Sequence, residues 1–105
     1  MELKIYWTGF AKSELQNIFD YYMEYASLRV AKKLISGIAL ETKKLRKQPE
    51  IGQIEDFLDG FAFQYRYLLY KNYKIVYYID VQKGIIEVHD VFDTRQNPVK
   101  ISRKK

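Results

Sequence analysis

Apolar side chains fall in three successive spacings along this chain. Leu3, Ile5, Tyr6 and Trp7 make a short apolar and aromatic run that predicts a strand over 3–7, and Thr8 behind it is a suitable helix N-cap. The period then changes to steps of three and four: Ala11, Leu15, Ile18, Phe19, Tyr22 and Met23 share one face, with Lys12, Glu14, Gln16, Asn17 and Asp20 opposite. Ser27 caps a second amphipathic helix with a stripe of Leu28, Ala31, Leu34, Ile35, Ile38 and Leu45; Lys32, Lys33, Lys43, Lys44 and Lys47 point outward and Pro49 ends it. The short break at Tyr25–Ser27 predicts a tight antiparallel helical hairpin.

Residues 50–60 show no period and hold Gly52 and Gly60, which predicts a loop with one turn of helix around Ile54–Leu58. From Phe61 onward the chain favours strands. Phe61, Phe63, Tyr65, Tyr67 and Leu69 form one run, Tyr73–Ile79 a second and Ile85–Phe92 a third, with breaks at Lys71-Asn72 and Gln82–Gly84 short enough for hairpins. The order is therefore β-α-α-β-β-β: one α+β domain over 1–105, with a helical hairpin on one face of a small, mainly antiparallel curved sheet and the other face open.

Composition narrows the chemistry. No cysteine is present among the 105 residues, so disulfides, thiolate catalysis and zinc–sulfur sites are excluded. No apolar run approaches the length of a membrane span and the N-terminus lacks a signal-peptide pattern, so a cytoplasmic protein without membrane contact is expected. The net charge of +5 favours anionic partners, while residues 50–65 carry Glu50, Glu55, Asp56 and Asp59 and no cation.

Three cations are candidates for one anion-binding patch on the open sheet face: Arg66, Lys74 and Arg95. Arg66 and Lys74 share a face only if the Lys71-Asn72 turn closes with an extra residue or a bulge; a two-residue turn opposes them. Each cation alone reads more simply as a solvated strand residue. Tyr65 and Tyr67 flank Arg66 and could stack on bases, although most of the ten tyrosines read as half-buried packing. His89 is the single histidine, so a His-pair metal site is excluded. On simple alternation it shares a face with Glu87 and Val91, a packing position more than a general base. Asp80, Asp90 and Asp93 lack metal-ligand spacing, and no cofactor motif is present.

The element order, the Tyr65-Arg66-Tyr67 strand, the Asn72-Tyr73-Lys74-Ile75-Val76-Tyr77 strand, the closing Val91-Phe92-Asp93-Thr94-Arg95-Gln96-Asn97-Pro98 segment and the Leu45, Pro49, Gly52 spacing together resemble the RelE/ParE toxin superfamily over nearly the whole chain. The resemblance implies the toxin of a type II toxin–antitoxin, or plasmid-stabilisation, system in a bacterium, held by an antitoxin protein in a hetero-oligomer. RelE-like members cleave messenger RNA on the ribosome without a metal or other cofactor, and ParE-like members poison DNA gyrase by binding it. Arg66, Lys74 and Arg95 match the family's basic positions, where they would be catalytic in a RelE-like member, and Lys100 extends the binding set with Tyr65 and Tyr67. After Arg95 no tyrosine or histidine stands where a RelE-like toxin places its proton-transfer group, which favours the ParE-like branch. A non-toxic interaction domain of the same fold is a third class.

Overall fold

The computed structural model describes residues 3–55 and 63–95. Strand β1 (Lys4–Trp7) leads into helix α1 (Gly9–Tyr25), whose N-cap Thr8 accepts a hydrogen bond from the Ala11 amide. Helix α2 (Leu28–Lys43) starts the same way, with the Ser27 hydroxyl accepting from Val30, and tightens into a single 3₁₀ turn over Lys44–Arg46. Both caps satisfy amide groups that a helix start leaves without a partner. Strand β2 (Gln53–Ile54), β3 (Arg66–Tyr70), β4 (Tyr73–Asp80) and β5 (Ile85–Asp93) follow.

The sheet order is β1-β5-β4-β3-β2, with β1 parallel to β5 and every other pairing antiparallel. The α+β order expected from the sequence is therefore the observed one, with β2 added at the edge beside β3. That short strand takes in Ile54, the first residue of the helical turn expected around Ile54–Leu58; residues 56–60, and Phe61 of the next expected strand, lie outside the described residues. Phe63 lies in a bend, and β3 begins only at Arg66.

Period-two alternation divides the sheet's side chains. Tyr73, Ile75, Val88 and Val91 meet Ala11, Leu34 and Ile38 in the core under the helices, and Tyr77 and Ile86 extend it to Leu45. Burial of these side chains is the main driving force for folding, worth ~1.5–3 kcal/mol for each large one. Gly37 admits the Tyr70 ring against α2, because a Cβ there would collide with it. Two stripe residues end differently from the helical period. Met23 and Leu28 lie at the hairpin tip, beyond the sheet's reach, and are exposed. No helix among the described residues is long and apolar enough to cross a membrane.

Candidate functional site

The β3–β4 turn decides the site. Tyr70 pairs with Tyr73 and Leu69 with Lys74, so Lys71 and Asn72 alone form the turn. Lys71 takes a left-handed φ of 54° to make it, and the Asn72 carbonyl accepts from the Thr94 amide at 2.8 Å. With only two turn residues the register places Arg66 opposite Tyr77, on the helix side, and Lys74 on the other face. The shared cradle expected of Arg66, Lys74 and Arg95 is thus not assembled.

Arg66 instead holds a loop. Its guanidinium donates to the carbonyls of Gly52 at 2.9 Å and Glu50 at 3.2 Å. Beside it the fully buried Tyr77 hydroxyl donates to the Pro49 carbonyl at 2.8 Å and accepts from the Gly52 amide at 3.0 Å. Burial pushes the Tyr77 phenol up, so it stays protonated and able to donate. Gly52 is required because a Cβ would sit 2.6 Å from the Tyr77 hydroxyl and 2.7 Å from the Tyr67 carbonyl.

Lys74 faces away from the helices, where its ammonium lies 2.8 Å from Glu55 and 4.1 Å from the Tyr67 ring centroid. Glu55 is buried, so the pair is largely out of water. Tyr67 donates to Gln53 at 2.9 Å, and the Glu55 amide donates to the Tyr65 carbonyl at 2.8 Å. Tyr65 packs edge-on to Tyr78, which stacks on Phe63 with centroids 4.1 Å apart. Burial raises both the Tyr65 and Tyr78 phenols, with Glu87 adding to each. This face is an aromatic layer around the Lys74–Glu55 ion pair, and Tyr65 and Tyr67 are packed within it.

His89 sits at a β-bulge. Val76 pairs with Asp90 and Tyr77 with Val88, which leaves His89 as the extra residue of β5. The bulge breaks the alternation assumed from sequence. Val91 enters the helix-side core, whereas His89 lies 5.0 Å from the Tyr65 ring in the opposite layer and is buried.

Arg95 occupies a third place, at the end of β5. Its Nε donates to the Asp93 carboxylate at 2.9 and 3.1 Å, and this fork holds Asp93 well below the usual carboxylate range. The pair borders a cleft of about 600 Å³ between α1 and the end of β5, lined by Tyr21, Tyr22, Tyr25 and Tyr73. The Tyr73 hydroxyl lies 3.3 Å from that of Tyr22, and burial pushes the Tyr73 phenol up, so it stays protonated. The helical period assigned Tyr22 to the core, and only its nearness to Arg95 in space reveals the cleft. Lys100 lies outside the described residues. Among the described residues no group of three His, Asp or Glu side chains could hold a metal ion.

The family model described as the ParE toxin of type II toxin–antitoxin systems, parDE, matches residues 5–98. The fold is similar to a chain of the chromosomal ParDE toxin–antitoxin system from P. aeruginosa, with TM-score 0.71 and 17% identity over 88% of this chain and 96% of that one. It is also similar to a free-state mutant of the E. coli toxin RelE, with TM-score 0.65 and 14% identity over 99% of this chain and 94% of that one. No curated protein matches the sequence significantly.

Proposed function

The chain belongs to the ParE toxin family of type II toxin–antitoxin systems, and from that premise we propose that it arrests growth by binding DNA gyrase rather than by cutting RNA. The observation that carries this reading is the dispersal of the three sequence-matched cations. Arg66 is spent on loop carbonyls, Lys74 on Glu55, and Arg95 on Asp93 at a separate corner. Metal-independent RNA cleavage needs cations converging on one phosphate, where developing charge is stabilised by groups already in place. A binding poison needs only a stable surface. A cognate antitoxin covering that surface is the partner this reading requires.

The cleft beside Arg95 supports a second reading, a ribosome-dependent ribonuclease, because it joins one guanidinium to two tyrosine hydroxyls. Inducible expression without the antitoxin separates the two. Growth arrest with an SOS response and intact messages is the expected result, together with inhibition of purified gyrase in a supercoiling assay. Arrest with new message ends and no SOS response would replace gyrase with the ribosome as target. Arg95→Ala is expected to abolish arrest while leaving the thermal unfolding transition cooperative; full toxicity in that variant would remove Arg95 from the active surface.

A further inference from the structure

The net charge of the protein is concentrated on one helix. Residues 28–47, covering α2 and the 3₁₀ turn, carry seven cations and the single acid Glu41, six charges in excess. The other eleven cations and twelve acids nearly cancel. The α1 helix beside it carries Lys12 against Glu14, Asp20 and Glu24. A charge balance serving solubility alone would not need this segregation.

The geometry of the ridge is specific. Ala31, Leu34, Ile38, Thr42 and Leu45 face the core, which turns Arg29, Lys32, Lys33, Lys43, Lys44 and Arg46 to solvent. They form two clusters, Arg29–Lys33 and Lys43–Arg46, separated on the exposed face by the neutral Ser36 and Leu40. Lys33 and Lys43 are ten residues apart, about 15 Å along a helix rising 1.5 Å per residue. Within the ridge the ion pair of Lys44 with Glu41 is a surface one, 3.1 Å long.

We propose that this face of α2 is a docking surface for the backbone of double-stranded DNA, with the two basic clusters meeting phosphates on either side of the major groove. Three features favour that occupant. The face is a convex ridge whose exposed apolar side chains, Leu28, Val30 and Leu40, are scattered among the cations rather than gathered into one patch, so it offers no apolar anchor site for a bound peptide. Phosphate contacts need only cations at the right spacing. The ~15 Å between clusters matches a B-form major groove about 12 Å wide, which admits a helix, whereas the A-form groove of duplex RNA is deep and narrow. No base is read by such contacts, so binding is independent of sequence. The proposal does not depend on which target the toxin acts upon.

The test is fluorescence anisotropy of the purified chain with a 20-base-pair DNA duplex, the matching RNA duplex and a salt series. DNA is expected to bind more tightly than RNA, with affinity falling linearly on a log–log salt plot. Two variants of equal net charge locate the surface: Lys33→Gln/Lys43→Gln on the ridge, and Lys12→Gln/Lys83→Gln at exposed positions on α1 and the β4–β5 turn. The ridge variant is expected to weaken binding and to flatten the slope by about 1.8, at ~0.9 per lost phosphate contact. The other is expected to leave the slope unchanged. Equal effects from both variants, equal binding of the RNA duplex, or no binding of DNA at 50 mM salt would each overturn the proposal. Cooperative unfolding of both variants excludes misfolding as the cause.

Discussion

Tyr77 and Tyr78 are consecutive residues of β4 with the same side chain and opposite circumstances. Tyr77 points under the helices, where its ring joins Leu45 and Ile86 and its hydroxyl fastens the loop at Pro49 and Gly52. Tyr78 points the other way, into a layer with Phe63, Tyr65, Val76 and Phe92. The first face is closed by two helices and is apolar except where it needs polar tips to hold a loop. The second has no helix over it among the described residues, yet it buries Glu55, His89 and Asp90 as well as aromatic rings. The two faces of one sheet have thus solved burial differently: the closed one sets the Arg66 guanidinium on loop carbonyls, and the open one buries the Lys74–Glu55 ion pair among its rings.

The sharpest way to break the closed face is Ile38→Asp. Ile38 is fully buried against the sheet, and an unpaired carboxylate there is expected to cost more than ~4 kcal/mol, enough to abolish the cooperative thermal transition followed by circular dichroism. A soluble variant with an intact transition would show that α2 faces elsewhere. On the open face the counterpart is Lys74→Met, which leaves Glu55 buried without its cation and is expected to destabilise by about 3–5 kcal/mol. Adding Glu55→Leu should recover most of that loss, since an apolar pair of similar size needs no counter-charge. Failure of the double variant to recover would mean that the layer depends on charge itself.

The two tyrosines supply a smaller and more direct contrast. Tyr77→Phe strands the Gly52 amide and the Pro49 carbonyl, at an expected cost of about 1–3 kcal/mol in urea unfolding. Tyr78→Phe leaves the stacking on Phe63 in place and gives up a hydrogen bond with the half-buried Glu87, which water can replace, so it is expected to cost less than half as much. The smallest effect belongs to the turn that sorts the faces. Lys71→Gly relieves a left-handed φ and is expected to stabilise by about 0.5 kcal/mol, net of the added freedom of the unfolded chain. A loss of stability would show that the Lys71 side chain, whose ammonium lies 5.9 Å from the Tyr70 ring centroid, contributes more than its backbone costs.

The helices and the meander were legible in the sequence because their signals are local. Thr8 and Ser27 cap where the period changes, and β-branched and aromatic runs mark β4 and β5. Contacts between distant residues were not legible. The sequence posed the choice between a shared face and opposed faces for Arg66 and Lys74, but only the pairing of Tyr70 with Tyr73 decides it. The bulge at His89 leaves no mark in composition, yet it moves Val91 to the other side of β5 from where alternation put it. Glu55 as the partner of Lys74 lies nineteen positions away, across a loop, and no pattern announces it. Likewise Arg95 carries its own acid two residues upstream, but the tyrosine cleft beside it is assembled from α1 and two strands.

The parallel pairing of Lys4 with Ile85 and Trp7 with Val88 carries a consequence for the order in which the molecule is made. A chain emerging from the ribosome presents β1 first, but its hydrogen-bonding partner is the last strand of the sheet to be synthesised. The same strand also closes β4, so two of the sheet's pairings wait on one late segment. Such high contact order slows folding, and at synthesis rates of about 5–20 residues per second the sheet cannot close until β5 has been made. The sheet therefore stays incomplete on both sides of β5 until that strand arrives, and the surfaces it supports arise together.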